Sequence, residues 1–139
     1  DLSIKKDTPI FEAKLFDSND FISSKKIFKK NKFYIMNIWA SWCVPCRAEH
    51  SFLLELNNQK NIKIIGINYK DKIENAKKFL KEFKSPYEII VSDKDGLISI
   101  EWGAYGVPET FLIHNGKILR KYVGPLNKNS VSEIKRLIK

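Results

Sequence analysis

The chain has 139 residues, 43% of them hydrophobic, and a formal net charge of +9. That length fits one domain spanning residues 1–139, with enough apolar content to build a core without structural metal or a disulfide framework. No apolar run reaches the roughly 20 residues that cross a bilayer, and the positive charge is scattered lysine (the arginines are only Arg47, Arg120 and Arg136), so it reads as compositional bias and no nucleic-acid partner is expected.

Residues 9–16 (PIFEAKLF) alternate apolar and polar, as a strand with one buried face does. Residues 17–32 are polar and lysine-rich and read as a loop carrying a short helix or edge strand. Residues 32–40 (KFYIMNIWA) form a continuous apolar run suited to a central strand buried on both faces. From Val44 to about Asn58 the pattern turns helical, with Ala48, Phe52, Leu53 and Leu56 on one apolar face and Pro45 in the first turn, where its missing N–H costs nothing. Residues 62–69 read as a second buried strand, parallel to the first because a helix connects them.

Residues 71–83 predict an amphipathic helix with Asp71 as its N-cap, and residues 87–93 a third strand. A short helix and loop follow over 95–106. Residues 109–114 and 117–124 flank Asn115-Gly116, a hairpin signal. The last segment predicts a helix capped near Asn129 or Ser130, with Val131, Ile134, Leu137 and Ile138 on its inner face. This order is an α/β arrangement of the thioredoxin-like kind: a central mixed β-sheet flanked by helices, with an extra N-terminal β-strand. The sequence opens at Asp1 without an initiator methionine and is read as a processed or trimmed form, any leader or membrane anchor lying outside it.

Cys43 and Cys46 are the only cysteines. Their short loop constrains the unfolded chain little, so a structural staple is a poor use of the spacing. Zinc is disfavoured because there is no second cysteine pair to join His50 and His114, and Arg47 stands where a haem-attachment motif needs His. No metal and no cofactor are expected. Cys43 falls at the end of a buried strand and the start of a helix, where free N–H groups and the dipole favour a thiolate. Cys46, inside the first turn, is expected to be buried and protonated. The asymmetry makes Cys43 the attacking and Cys46 the resolving thiol. Pro108 starts a strand after a small loop; in this layout it lies beside the cysteines, where a cis Val107–Pro108 bond would present the Val107 backbone to an extended substrate. The residues alone leave an ordinary trans proline open.

The motifs WASWCVPCRAEH (39–50), GINYKD (66–71) and YGVPETFLI (105–113) resemble CcmG/DsbE-type thioredoxin-like proteins of cytochrome c maturation, from about residue 9 to the end. The resemblance implies Cys43 as nucleophile, Cys46 as resolving cysteine and Pro108 as the cis-proline. It also places Glu49 and Glu109 as acidic residues around the site, and Tyr69 and Asp71 on a loop near it. Ser51 departs from the proline of many relatives, and no kink is expected there. Glu49 and Glu109 also read as an exposed helix residue and a strand-edge charge. Trp39 reads as core, and Trp42 as a rim aromatic shaping a partner's approach.

The resemblance further implies a periplasmic reductant tethered to the inner membrane by an N-terminal anchor. Its partners would be apocytochrome c or a cytochrome c maturation thiol protein, with an upstream membrane thiol reductase as electron donor and no haem bound directly. A general or sporulation-type extracytoplasmic reductant with other clients, or a non-catalytic redox-sensing module, are the alternatives.

Overall fold

The computed structural model describes residues 3–139. One mixed sheet runs in the order β1 (Ser3–Asp7), β8 (Lys117–Val123), β7 (Glu109–His114), β4 (Phe33–Trp39), β5 (Ile62–Tyr69), β6 (Ile89–Asp93), β2 (Glu12–Leu15) and β3 (Phe21–Ser23). Five helices complete the described residues: α1 (Ser24–Ile27), α2 (Val44–Asn57), α3 (Ile73–Phe83), α4 (Leu97–Glu101) and α5 (Lys128–Leu137). β4, β5 and β6 are parallel, as helical crossovers require. β7 and β8 are antiparallel and joined at Asn115 and Gly116, both with positive φ (50° and 72°), a conformation these two residues tolerate best. None of the helices is long and apolar enough to cross a membrane.

The side chains of β4 alternate between two cores. Tyr34, Met36 and Ile38 pack with Ile65, Ile67, Phe111, Ile113 and Trp102 on one face. Ile35 packs on the other with Leu53 and Leu56 of α2 and Val131 and Ile134 of α5. Burying each such side chain stabilises the fold by roughly 2 kcal/mol. Trp39, at the end of β4, joins Cys43, Cys46, Ala76 and Phe79 in a third cluster. Gly66 of β5 lies under the stacked rings of Trp39 and Tyr87, where a Cβ would come within 2.9 Å and 2.8 Å of their atoms.

Several elements differ from the sequence reading. The regular strand within 9–16 is only Glu12–Leu15, because the Phe11 N–H is taken by the Ser24 hydroxyl at 2.9 Å. The front of the chain supplies three strands: β1 pairs with β8 at one edge, and the β2–β3 hairpin pairs with β6 at the other. β1 carries no apolar alternation that could announce it. The cap of α5 is Asn127, ahead of Asn129 and Ser130. Its Oδ1 accepts the Ser130 N–H at 3.0 Å while the Ser130 hydroxyl accepts the Asn127 N–H at 2.8 Å. α3 begins at Ile73 with Lys72 at its N-cap, so Asp71 is not the cap; its side chain is used elsewhere.

Candidate active site around Cys43 and Cys46

β4 ends at Trp39 and the chain turns through Ala40 and Ser41 before α2. Cys43 is the N-cap of α2, and its Sγ accepts the Cys46 N–H at 3.2 Å. The two cysteines are joined as a disulfide. Both are buried, at 3% and 2% exposure, so position on the helix and not burial distinguishes them. Trp42 and Val44 beside them stand out to solvent at 56% and 75% exposure. Pro45 is exposed in the first turn, and α2 runs unbroken through Ser51.

Asp71 braces the turn ahead of Cys43. Its carboxylate accepts the Ser41 N–H at 2.7 Å and the Ser41 hydroxyl at 2.8 Å. It also accepts from Asn68 Nδ2 at 3.0 Å and the Lys72 N–H at 2.9 Å. The next residue of the turn is held from the same side: Trp42 Nε1 donates to the Lys70 carbonyl at 2.9 Å, and its ring lies 6.4 Å from that of Tyr69. Arg47 donates to the Ser41 carbonyl at 3.2 Å and lies over Phe79 and Phe83 of α3.

The Val107–Pro108 bond is cis. Val107 packs against the cluster that contains both cysteines, so this loop and the pair share one surface. Glu109, at the start of β7, is 1% exposed. Its Oε2 accepts the N–H groups of Tyr105 and Gly106 at 2.5 Å and 3.2 Å, and its Oε1 lies 3.4 Å from Lys121 Nζ of β8.

The inner face of α2 is Cys46, Glu49, His50, Leu53 and Leu56. Ala48 is exposed and Phe52 only half-buried, so the face is rotated from the apolar one read in the sequence and carries two polar residues. Glu49 is 1% exposed. Its carboxylate accepts from Asn37 Nδ2 at 2.8 Å and the Leu126 N–H at 3.0 Å. Asn37, fully buried mid-β4, also donates to Thr110 Oγ1 at 3.1 Å and accepts from the Tyr87 hydroxyl at 2.8 Å, which satisfies both ends of its amide. Burial pushes the Glu49 carboxyl up from 4.5 to about 7, against the lowering effect of Leu126 and Asn37. Desolvation, and then the Glu49 charge, raise the Tyr87 phenol well above its usual value.

Sequence reading named Glu49 but missed Asn37, Thr110, Tyr87 and Lys121. A polar residue inside the apolar run FYIMNIWA was the one available signal, since a buried amide demands partners. His50 Nε2 donates to the Lys84 carbonyl at 2.6 Å, and His114 stacks on Phe33. Among the described residues no group of three or more His, Cys, Asp or Glu side chains is placed to hold a metal ion.

A Cys-x-x-Cys pair at a strand-to-helix turn of a mixed sheet, facing a cis-proline loop, defines a thioredoxin-like protein. The thioredoxin domain of a thiol-disulfide oxidoreductase from Bacteroides vulgatus superimposes with a TM-score of 0.81, at 22% identity over 100% of both chains, and shares the fold. The Redoxin family model matches residues 6–138, and the chain belongs to that family. Among curated relatives, thiol:disulfide interchange protein CycY of Rhizobium leguminosarum bv. viciae is 46% identical over 105 residues, covering 75% of this chain and 56% of the relative. Thiol:disulfide interchange protein DsbE of Escherichia coli K12 is 38% identical over 125 residues, covering 89% of this chain and 67% of the relative. The chain thus spans between about half and two thirds of the length of these two relatives.

Proposed function

We propose that this protein is a thiol–disulfide oxidoreductase working as a reductant. The observation that carries the reading is Cys43 at the N-cap of α2, its sulfur accepting the Cys46 N–H at 3.2 Å. A helix start stabilises an anion, so Cys43 is the thiolate of the reduced pair. That thiolate attacks one sulfur of a client disulfide. The client S–S bond breaks, and the departing sulfur leaves as a thiolate that takes up a proton. Cys46 gives up its proton and attacks Cys43. The bond between Cys43 and the client breaks, the client leaves as a dithiol, and two electrons have passed to it as the Cys43–Cys46 disulfide forms. An upstream dithiol protein restores the reduced pair by the same exchange.

Glu49 lies three residues beyond Cys46 on the same buried helix face, with its carboxyl near 7, and in this reading takes the Cys46 proton. Glu109, Tyr69 and Asp71 hold the two loops beside the pair, Pro45 removes one donor from the helix start, and Trp42 shapes the approach of the client. Val107 offers its backbone beside Pro108 to an extended client segment.

The relatives' names support thiol:disulfide interchange. The resemblance to CcmG/DsbE-type proteins extends the proposal to cysteine pairs of apocytochrome c, or of a maturation thiol protein, reduced before haem attachment. That setting is periplasmic, with an N-terminal tether and a membrane thiol reductase as donor. A general extracytoplasmic reductant uses the same chemistry on other clients.

The C46A variant is expected to accumulate mixed disulfides through Cys43, and mass spectrometry of the trapped species names the client. Trapping by C43A instead reverses the two roles, and trapping by neither leaves a non-catalytic module. A reduction potential below about −200 mV against glutathione supports a reductant, whereas one near about −120 mV belongs to an oxidant.

A further inference from the structure

The loop ahead of the Val107–Pro108 bond is gripped by two side chains of the β7–β8 hairpin. Phe111 pairs with Lys121 across the hairpin, so Lys121 and Glu109 are diagonal neighbours on one face. Glu109 binds the backbone N–H groups of Tyr105 and Gly106 with one oxygen and faces Lys121 with the other. Lys121 Nζ in turn donates to the Gly103 carbonyl at 2.7 Å and lies 4.8 Å from the centre of the Tyr105 ring. One ammonium therefore touches the start of the loop, its aromatic side chain and the carboxylate that holds its backbone. The Lys121 side chain is only 15% exposed, whereas Tyr105 is 87% exposed.

A tyrosine that open to solvent adds little to folding, yet it is oriented by a cation and a buried carboxylate. Trp42 is fixed to the end of β5 through the Lys70 carbonyl, and Tyr105 to the ends of β7 and β8. β5 and β7 flank β4, whose end leads into Cys43, so the two exposed aromatics stand on opposite strand neighbours of the redox pair.

We propose that Lys121 is a positioning residue for client docking. With Glu109 it presets Tyr105 as a contact for the polypeptide on the far side of Cys43 from Trp42, and so favours disulfides carried on an extended chain over small disulfides. A rigid aromatic contact loses little conformational entropy on binding, and ordering it beforehand removes part of the association penalty. A cation over the ring contributes attraction that a neutral side chain lacks. The proposal rests on the thiol–disulfide reading above.

The test is saturation kinetics of the reduced protein, followed by tryptophan fluorescence, with a disulfide-bridged peptide and with bis(2-hydroxyethyl) disulfide. In K121M the half-saturating peptide concentration is expected to rise by about tenfold, outweighing any fall in the limiting rate by about fivefold. The ratio of peptide to small-disulfide efficiency falls with it, and K121R restores that ratio because charge and ring contact are both kept. Y105A lowers the same ratio, and adding it to K121M lowers it no further, since the lysine acts through the tyrosine. If K121M does not fold, Y105A still decides the matter at its exposed position. A ratio within about twofold of wild type in Y105A overturns the proposal. Wild-type protein that reduces neither substrate overturns the thiol–disulfide reading instead.

Discussion

Glu49 and Glu109 are the same residue type at the same 1% exposure, but they sit in different electrostatic surroundings. Glu109 has a cation, Lys121, at 3.4 Å, and two backbone N–H groups. Glu49 has an amide and a backbone N–H and, among the described residues, no ion pair, and burial lifts its carboxyl to about 7. The difference shows what a buried carboxylate needs. Dipoles alone, even two well-aimed ones, do not offset desolvation at Glu49, whereas Glu109 adds an ion pair to its two backbone donors. One glutamate is thereby suited to moving a proton and the other to holding a loop.

Removing Glu109 breaks this comparison most severely. E109A leaves Lys121 mostly buried without its carboxylate and two N–H groups without an acceptor, and is expected to cost about 3–5 kcal/mol in urea unfolding of the oxidised protein. A cost below about 1 kcal/mol would show that water replaces the carboxylate there.

A pH effect at Glu49 comes next. Its carboxyl titrates at about 7 folded and at 4.5 unfolded, so between those values the folded state binds the extra proton. Stability is therefore highest below about pH 4.5 as far as this group is concerned, and falls as pH rises to about 7, by on the order of 3 kcal/mol. E49Q removes that slope. Thermal unfolding of both proteins in the disulfide form, across this range, reads the difference, and parallel curves would place the Glu49 carboxyl at an ordinary value.

Y87F takes the one donor from Asn37 Oδ1 and is expected to cost about 1–2 kcal/mol. Its chemical denaturation midpoint checks this, and an unchanged midpoint would mean that Asn37 finds another donor. The smallest effect sharpens the comparison at the sulfurs. E49Q is expected to lower the thiol pKa of the reduced pair by about half a pH unit. E109Q lowers it less, because Lys121 already balances that charge. Thiolate absorbance against pH measures both, and a larger shift in E109Q would reverse the assignment.

Much of the architecture was readable because local patterns and global packing agree. The apolar run of β4, the Asn115-Gly116 turn and the apolar positions of α5 each match one periodicity or one turn chemistry. The cysteine pair was readable for the same reason, since a strand end and a helix start adjoin in sequence. Asp71 shows where such reading fails. Its position before a helix made it an N-cap, but tertiary contact with Ser41 and Asn68 gave its carboxylate other donors. α2 shows a second failure: its apolar pattern pointed to Ala48 and Phe52, while Asn37 across the interface drew Glu49 inward.

By itself the sequence determined the order of β4, α2, β5, α3, β6 and the final hairpin, and the place of Cys43 at a helix start. Those follow from neighbours a few residues apart, whose spacing is written in the chain. Only the tertiary structure decided which carboxylate meets a cation and that Lys121 reaches back to Tyr105. Those outcomes depend on distances between residues far apart in sequence, and such distances exist only once β7 lies beside β4 and β8 beside β7.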